Sequence, residues 1–331
     1  MAVTVTVADI KKLRDKTSAG MMDCKRALEE AEGDFEKAVE ILRKKGQAIA
    51  AKRSDREASE GCVLAKADGN FAAVVALKCE TDFVAKNADT IALTRTILDA
   101  AIANRPADLA ALLALQIEGR SVKDLVTERS GVTGEKMELS DYVFVEGAST
   151  NAYIHAGNRL ATVVAFAEEN ANTEAIHGVA MQVAAMNPLA IDENGIAQEV
   201  KDREMNIAIE KTKQDEVNKA VENAIRKAGI NPNLTDSDDH IESNMAKGWL
   251  TPEQAEQARQ LRASVPAEAE AALNMKKVEM IAQGRVAKFF KENTLVAQVY
   301  VMSEDKQTVG DFMKKNGLTC TDFRRVTLNQ E

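Results

Sequence analysis

The side chains whose types and spacing invite a chemical reading lie within ten residues, Leu77 to Lys86 (LKCETDFVAK). An apolar run breaks at Thr81 and a helical pattern begins at once, placing Asp82 and Phe83 at the first helical positions. A strand that hands over to a helix this tightly holds its first helical side chains in a fixed place. What it offers is a carboxylate beside a bulky aromatic, with Thr81, a good capping residue, in front of them. At about 100° per residue, Val84, Ala88, Ile91, Leu98 and Ile102 share one stripe of a helix over Thr81–Asn104. Phe83 lies a quarter turn away, but Leu93 and Ile97 are also off that stripe, so the helix is apolar on more than one side. Pattern alone leans Phe83 toward the core and leaves a protruding wedge open.

Other reactive constellations are missing from the sequence. There is no GxxxxGK[ST] loop and no GxGxxG loop to cradle phosphates. Asp236-Ser237-Asp238-Asp239 begins like a calcium loop, but Ile241 stands where glycine is needed, so a solvated helix cap is expected. His155, His177 and His240 share no ligand spacing with one another or with Cys24, Cys62, Cys79 and Cys320. No Ser/His/Asp or Cys/His arrangement stands out, and Cys79 reads as a buried strand residue. The expectation is a protein without covalent or acid–base catalysis, with no catalytic residue, no cofactor and no metal site of its own.

The chain has 331 residues, a net charge of −9 and only 4% aromatics. An acidic balance argues against direct nucleic-acid binding, and the few aromatics argue against a base-stacking platform. Scattered cysteines, no secretory leader and no apolar stretch near ~18 residues point to a cytoplasmic protein without a membrane partner.

These side chains have to be positioned by elements of an α+β fold. Residues 1–50 read as three short helices with inner faces at Ile10 and Leu13, at Met21, Cys24, Ala27, Leu28 and Ala31, and at Phe35, Ala38, Val39 and Leu42. Gly33 and Gly46 are expected to end the second and third. A polar linker falls at 51–60. The first α/β subdomain, 61–140, opens with two strands joined at Asp68-Gly69-Asn70, a strong hairpin signal. The second, 141–331, repeats hairpin, strand and helix through Ala156-Gly157-Asn158 and a helix at about 172–186. A strand is expected at Leu295–Val301, a helix at Thr308–Asn316 and a strand at Thr319–Leu328. A charged helical hairpin at about 198–292, with a capping box at Thr251-Pro252-Glu253-Gln254, is inserted in it.

At its most informative residues the chain resembles the bacterial translation elongation factor Ts family, the nucleotide-exchange factors for elongation factor Tu. The family's core signature stands as Glu80-Thr81-Asp82-Phe83-Val84-Ala85-Lys86. Its N-terminal signature runs from Leu13 to Leu28, with Ser18 where glycine is commoner; Asp68-Gly69-Asn70, His155-Ala156-Gly157 and Thr308-Val309-Gly310 also match. The resemblance implies a ubiquitin-associated-like bundle followed by two α/β subdomains. It implies that Asp82 and Phe83 disturb the GTPase's Mg²⁺ and β-phosphate site while Thr81 and Val84 fix the helix start. It further implies that Met21, Met22 and Lys25 dock on the GTPase domain, and that His155 and Gly157 sit against the far side of that domain. Two departures are a longer hairpin, about 212–274, and no extra C-terminal helix; a homodimer built on the hairpin is left open. A rival reading is a non-catalytic docking protein using the N-terminal bundle, with at least one of Met21 and Met22 serving as ordinary bundle core.

Overall fold

A computed structural model describes residues 5–17, 19–169 and 171–329; Ser18 of the N-terminal signature lies outside them. The chain is mixed α and β, of the expected α+β class. It divides into two compact units, Met1–Ile191 with Gln298–Glu331, and Asp192–Ala297.

The first unit begins with helices α1 (Val7–Thr17), α2 (Met21–Glu30) and α3 (Phe35–Lys52), which close over Ile10, Leu13, Cys24, Ala27, Leu28 and Ala38. Strands β1 (Glu60–Asp68) and β2 (Phe71–Cys79) follow, then helices α4 (Asp82–Ala85), α5 (Ala88–Asn104) and α6 (Leu109–Ala114). A two-residue hairpin, β3 (Gln116–Ile117) and β4 (Arg120–Ser121), leads to α7 (Val122–Thr133) and β5 (Glu138–Glu146). Then come β6 (Ser149–Ile154), β7 (Leu160–Phe166) and α8 (Thr173–Met186). The second unit is all helical: α9 (Gln198–Lys227), α10 (Asp238–Ala246), α11 (Pro252–Ala271) and α12 (Met275–Asn293). The chain then returns to the first unit with α13 (Val309–Lys315) and β8 (Cys320–Thr327).

Two antiparallel sheets, ordered β1-β2-β5 and β6-β7-β8, carry the first unit. Each is a hairpin joined by a third strand beside its second, so the repeated hairpin-and-helix pattern is also a repeat of topology. β5 crosses residue 140 and pairs with β2, so the first sheet extends to Glu146. Period-two alternation sorts the side chains. Val63, Ala65, Ala72, Val74 and Ala76 meet Ala161, Val163, Ala165 and Val326 between the sheets. The opposite face of the first sheet, through Cys62, Leu64, Phe71, Val75 and Leu77, packs on Ile97, Leu98, Ala101, Leu112 and Val126 of α5, α6 and α7. On the far face of the second sheet Thr162 donates to the carbonyl of Ala180 in α8 at 2.8 Å.

Three expectations need correction. Gly46 does not end α3, which continues to Lys52; Gly46 is a contact with α7, so close that a Cβ on Gly131 would lie 2.3 Å from the Gly46 Cα. The helix expected over Thr81–Asn104 is two helices, because Asn87 leaves helical conformation and caps α5, accepting from Asp89 N at 2.9 Å. Leu295–Val301 is turns and one bridge, Val299 with Thr308, rather than a strand. Buried Gln182 replaces the missing ladder there: it donates to the Val299 carbonyl at 3.1 Å and accepts from Val301 N at 2.8 Å.

Within the second unit, Ala208 of α9 packs on Ala282 and Val286 of α12, and Asp215 pairs with Arg285 at 2.5 Å. Ile225, Ile230, Ile241, Leu250, Ala255 and Ala258 make a separate small core. The calcium-like segment is a cap: the Ser237 hydroxyl accepts from His240 N at 3.1 Å, and Asp236 pairs with the His240 ring at 2.6 Å. Among the described residues no helix is long and apolar enough to cross a membrane.

Glycine-to-alanine changes should divide by location. Gly131→Ala forces two backbones apart and is expected to lower unfolding stability by about 1–3 kcal/mol. Gly284→Ala, in α12 with open space around it, should raise stability by about 0.5–1 kcal/mol. Urea titration followed by circular dichroism measures both.

Candidate functional site

The junction after β2 is built from backbone bonds. Thr81 is extended (φ −125°, ψ 155°) and stands as the N-cap of α4. Ala85 N returns to the Thr81 carbonyl at 3.1 Å, and Lys86 N to the Asp82 carbonyl at 3.0 Å. The cap bond from Val84 N to the Thr81 hydroxyl is long, 3.5 Å. Ala85 is buried and Val84 is half-buried against the α5 core, which fixes the inner side of the single turn. Phe83 points the other way and is 84% exposed. The helical-pattern lean toward the core is therefore wrong for this residue, and the protruding alternative is the one observed.

Residues invisible to local sequence reasoning hold this turn. The Glu135 carboxylate, just beyond α7, accepts from Glu80 N and Thr81 N, each at 3.1 Å, and from the Thr81 hydroxyl at 2.6 Å. In return the Glu80 carboxylate accepts from Lys136 N at 2.6 Å, and its two oxygens accept from Arg53 Nη1 at 3.1 and 2.9 Å. Arg53 is the C-cap of α3, so the N-terminal bundle touches the motif directly. Downstream, buried Arg129 of α7 donates to the Asn87 side chain at 2.8 Å and to Asp89 at 3.2 Å. These partners lie 27 to 56 residues from the motif in sequence, and no local period signals them.

The charges are arranged to stay ionised. Asp82 is held below its usual carboxylate range chiefly by the hydrogen bond from Lys86, at 2.7 Å. Glu80 is likewise lowered, first by the Lys136 amide and then by Arg53. Burial pushes the Cys79 thiol up to about 12, with the Glu135 charge adding to it, so it is no nucleophile at neutral pH.

The remaining candidate residues fall in two places. Met21 and Met22 open α2 and are 40% and 59% exposed, so neither is ordinary bundle core. Lys25 is exposed beside Glu29 at 3.7 Å. Asp23, in the same turn, pairs with Lys45 of α3 at 2.5 Å. Arg53 follows Lys45 by eight residues, about 12 Å along the helix at 1.5 Å per residue. His155 is exposed and bonds the Tyr153 hydroxyl at 2.9 Å, in a turn where Gly157 (φ +87°) and Asn158 (φ +55°) take left-handed conformations. That turn meets β1: Val63 N donates to the Asn158 carbonyl at 2.7 Å, and Arg159 pairs with Glu60. Glu60 is the register partner of Cys79. The His155–Gly157 turn and the Phe83 turn thus lie at the same end of the two-sheet stack.

Residues 80–330 match the sequence model of a family described as Elongation factor TS. The chain belongs to the elongation factor Ts family. It is 56% identical to elongation factor Ts of Phocaeicola vulgatus, 55% to that of Parabacteroides distasonis and 44% to that of Porphyromonas gingivalis. Each comparison covers 99% of this chain and all of the relative. The long helical segment, about 212–274, therefore lies within the length shared with these elongation factor Ts sequences.

Two outcomes follow from the geometry. Phe83→Ala removes an exposed ring and should change unfolding stability by no more than about 0.5 kcal/mol in urea titration. Glu80, lowered in the folded state, adds stability above its ordinary value of 4.5 and loses it as pH falls through the folded value. Amide-exchange protection of Lys136 N–H should hold above that pH and decline below it.

Proposed function

We infer that this chain is a guanine-nucleotide exchange factor that binds elongation factor Tu·GDP and promotes GDP release. The family name supports the exchange role. The observation that carries the mechanism is the 84% exposed Phe83 on a turn held by hydrogen bonds on both sides.

In this reading Phe83 inserts beside the GTPase's Mg²⁺ and phosphate site, displacing the elements that hold the ion and the β-phosphate. A GTPase retains GDP through its phosphate loop and Mg²⁺, so disturbing either weakens the nucleotide. Burying a phenylalanine ring is worth about 1.5–3 kcal/mol. An interaction made only with the nucleotide-free form must, by linkage, weaken GDP binding by the same free energy. Asp82 accompanies the ring and can exchange its Lys86 partner for groups at the GTPase site. Thr81 and Val84 keep the turn in place. Met21, Met22 and Lys25 dock the bundle on the GTPase domain, and the His155–Gly157 turn supplies a further contact on it. GTP then reloads the emptied site during translation elongation. No covalent or acid–base step is required of this chain.

In the alternative, the bundle alone recruits a partner, a reading supported by the exposure of Met21 and Met22. Stopped-flow release of a fluorescent GDP from the cognate elongation factor Tu separates the two. Wild type should accelerate release, and Phe83→Ala should lower the maximal rate by roughly ten- to a hundredfold, the scale of a coupling of 1–3 kcal/mol. No acceleration by wild type would sink the exchange reading. Normal exchange by folded Phe83→Ala would sink the wedge and leave the family intact.

A further inference from the structure

We propose that Glu135 is the positioning residue for Phe83, setting the direction from which the ring approaches its target. The proposal rests on the exchange reading above. An exposed ring has little packing to orient it, so its placement comes from the backbone beneath it. That backbone is one helical turn of four residues, too short to hold itself, because nucleating a helix fixes several torsions for a single bond.

Its own cap is weak. The Val84 N to Thr81 hydroxyl contact is 3.5 Å, at the outer limit of a hydrogen bond. The short bond at this position is the one the same hydroxyl donates to Glu135, 2.6 Å, and the Glu135 carboxylate also takes the two preceding amides. Bonds to an ionised carboxylate are the stronger class. The loop that carries Glu135 is tied down in turn, since Lys136 N donates to Glu80 and the Ser130 hydroxyl donates to the Glu135 carbonyl. Each strand of the crossing thus gives a carboxylate to the other's backbone. Arg129, on the helix that ends beside Glu135, holds Asn87 at the other end of the turn.

Removing Glu135 leaves Glu80 N, Thr81 N and the Thr81 hydroxyl without this acceptor and frees the turn to rotate. Docking elsewhere on the GTPase would continue, but the ring would have to be ordered during insertion, which weakens that step. A glutamine at 135 retains the geometry: its amide oxygen accepts from both backbone amides, and its NH₂ donates to the Thr81 hydroxyl.

The test is GDP release titrated with wild type, Phe83→Ala, Glu135→Ala, Glu135→Gln and the Phe83→Ala/Glu135→Ala pair. Glu135→Ala should lower the maximal rate by about tenfold, with the half-saturating concentration changed by less than about threefold. A variant that is merely less folded does the reverse, raising the half-saturating concentration and keeping the maximum. Glu135→Gln should restore most of the rate, and the double variant should be no slower than Phe83→Ala alone, because Glu135 acts through the ring. Amide exchange at Glu80 and Thr81 should quicken in Glu135→Ala. If that variant does not fold, Thr81→Val, which removes the donor to Glu135, should show the same fall in maximal rate. A wild-type maximum in folded Glu135→Ala, or effects that add to Phe83→Ala, overturns the proposal while the exchange reading stands. Normal exchange by folded Phe83→Ala overturns the proposal and the wedge together, and absence of acceleration by wild type is the separate outcome that overturns the exchange reading.

Discussion

The contact between the two sheets constrains everything else in the first unit. It is made almost entirely of valine and alanine: Val63, Ala65, Ala72, Val74 and Ala76 against Ala161, Val163, Ala165 and Val326. Short side chains let the sheets close on each other, and both central strands, β2 and β7, are then buried on two faces. β2 has no polar edge to give way, so its end at Cys79 is fixed in space. The chain can leave it only by turning, and whatever follows that turn inherits a fixed origin. The same packing brings the β6–β7 turn against β1, where Asn158 and Arg159 hold the strand paired with β2.

Fixing the origin does not fix the direction of an exposed side chain. A buried aromatic is oriented by the atoms it touches; Phe83 is mostly in water and depends on hydrogen bonds made two to four residues away. This explains the density of polar contacts around Glu80, Thr81 and Asn87, where two carboxylates and two guanidinium groups serve a turn of four residues. It also explains why α3 runs on to Arg53 instead of ending at Gly46. The close approach of Gly46 and Gly131 lays α3 along α7, and the cap residue of α3 then reaches Glu80. The helix that ends the bundle thus meets the helix that leads to the clasp at the backbone, and meets the motif itself through the ion pair.

Much of this was legible in the sequence because the signals were local. Asp68-Gly69-Asn70 marks a two-residue hairpin and Thr251 with Gln254 marks a capping box, and each owes its geometry to neighbours within three positions. The orientation of Phe83 was not legible from pattern. A helical wheel carries phase from one residue to the next only along one axis, and Asn87 ends that axis, so the stripe of α5 says nothing about a side chain on α4. The resemblance to a family placed Phe83 outward where periodicity could not. Met21 misled for a related reason. It lies on the Cys24–Ala27–Leu28 face by spacing, but at the first position of α2 the bundle no longer covers that face. The Glu135 and Arg129 contacts have no sequence signature at all, since a carboxylate taking backbone amides from 54 and 55 residues away imposes no pattern on its neighbours.

Asp82 and Phe83 are adjacent but differ in what they can contribute. Asp82 sits in water with its charge already matched by Lys86, and an exposed pair of that kind costs little to break and gains little when remade with another cation. Its lowered pKa keeps it ionised through the neutral range, so protonation does not alter it there. The ring is different, because its apolar surface is largely exposed in the free protein, and in the proposed reading it is buried only against the partner. An acidic chain of net charge −9 has no electrostatic reason to approach phosphates. In the proposed exchange reading, a neutral wedge on a rigid turn would avoid that repulsion and would concentrate the differential free energy in the one group that the GDP-bound and empty states of a GTPase accommodate differently.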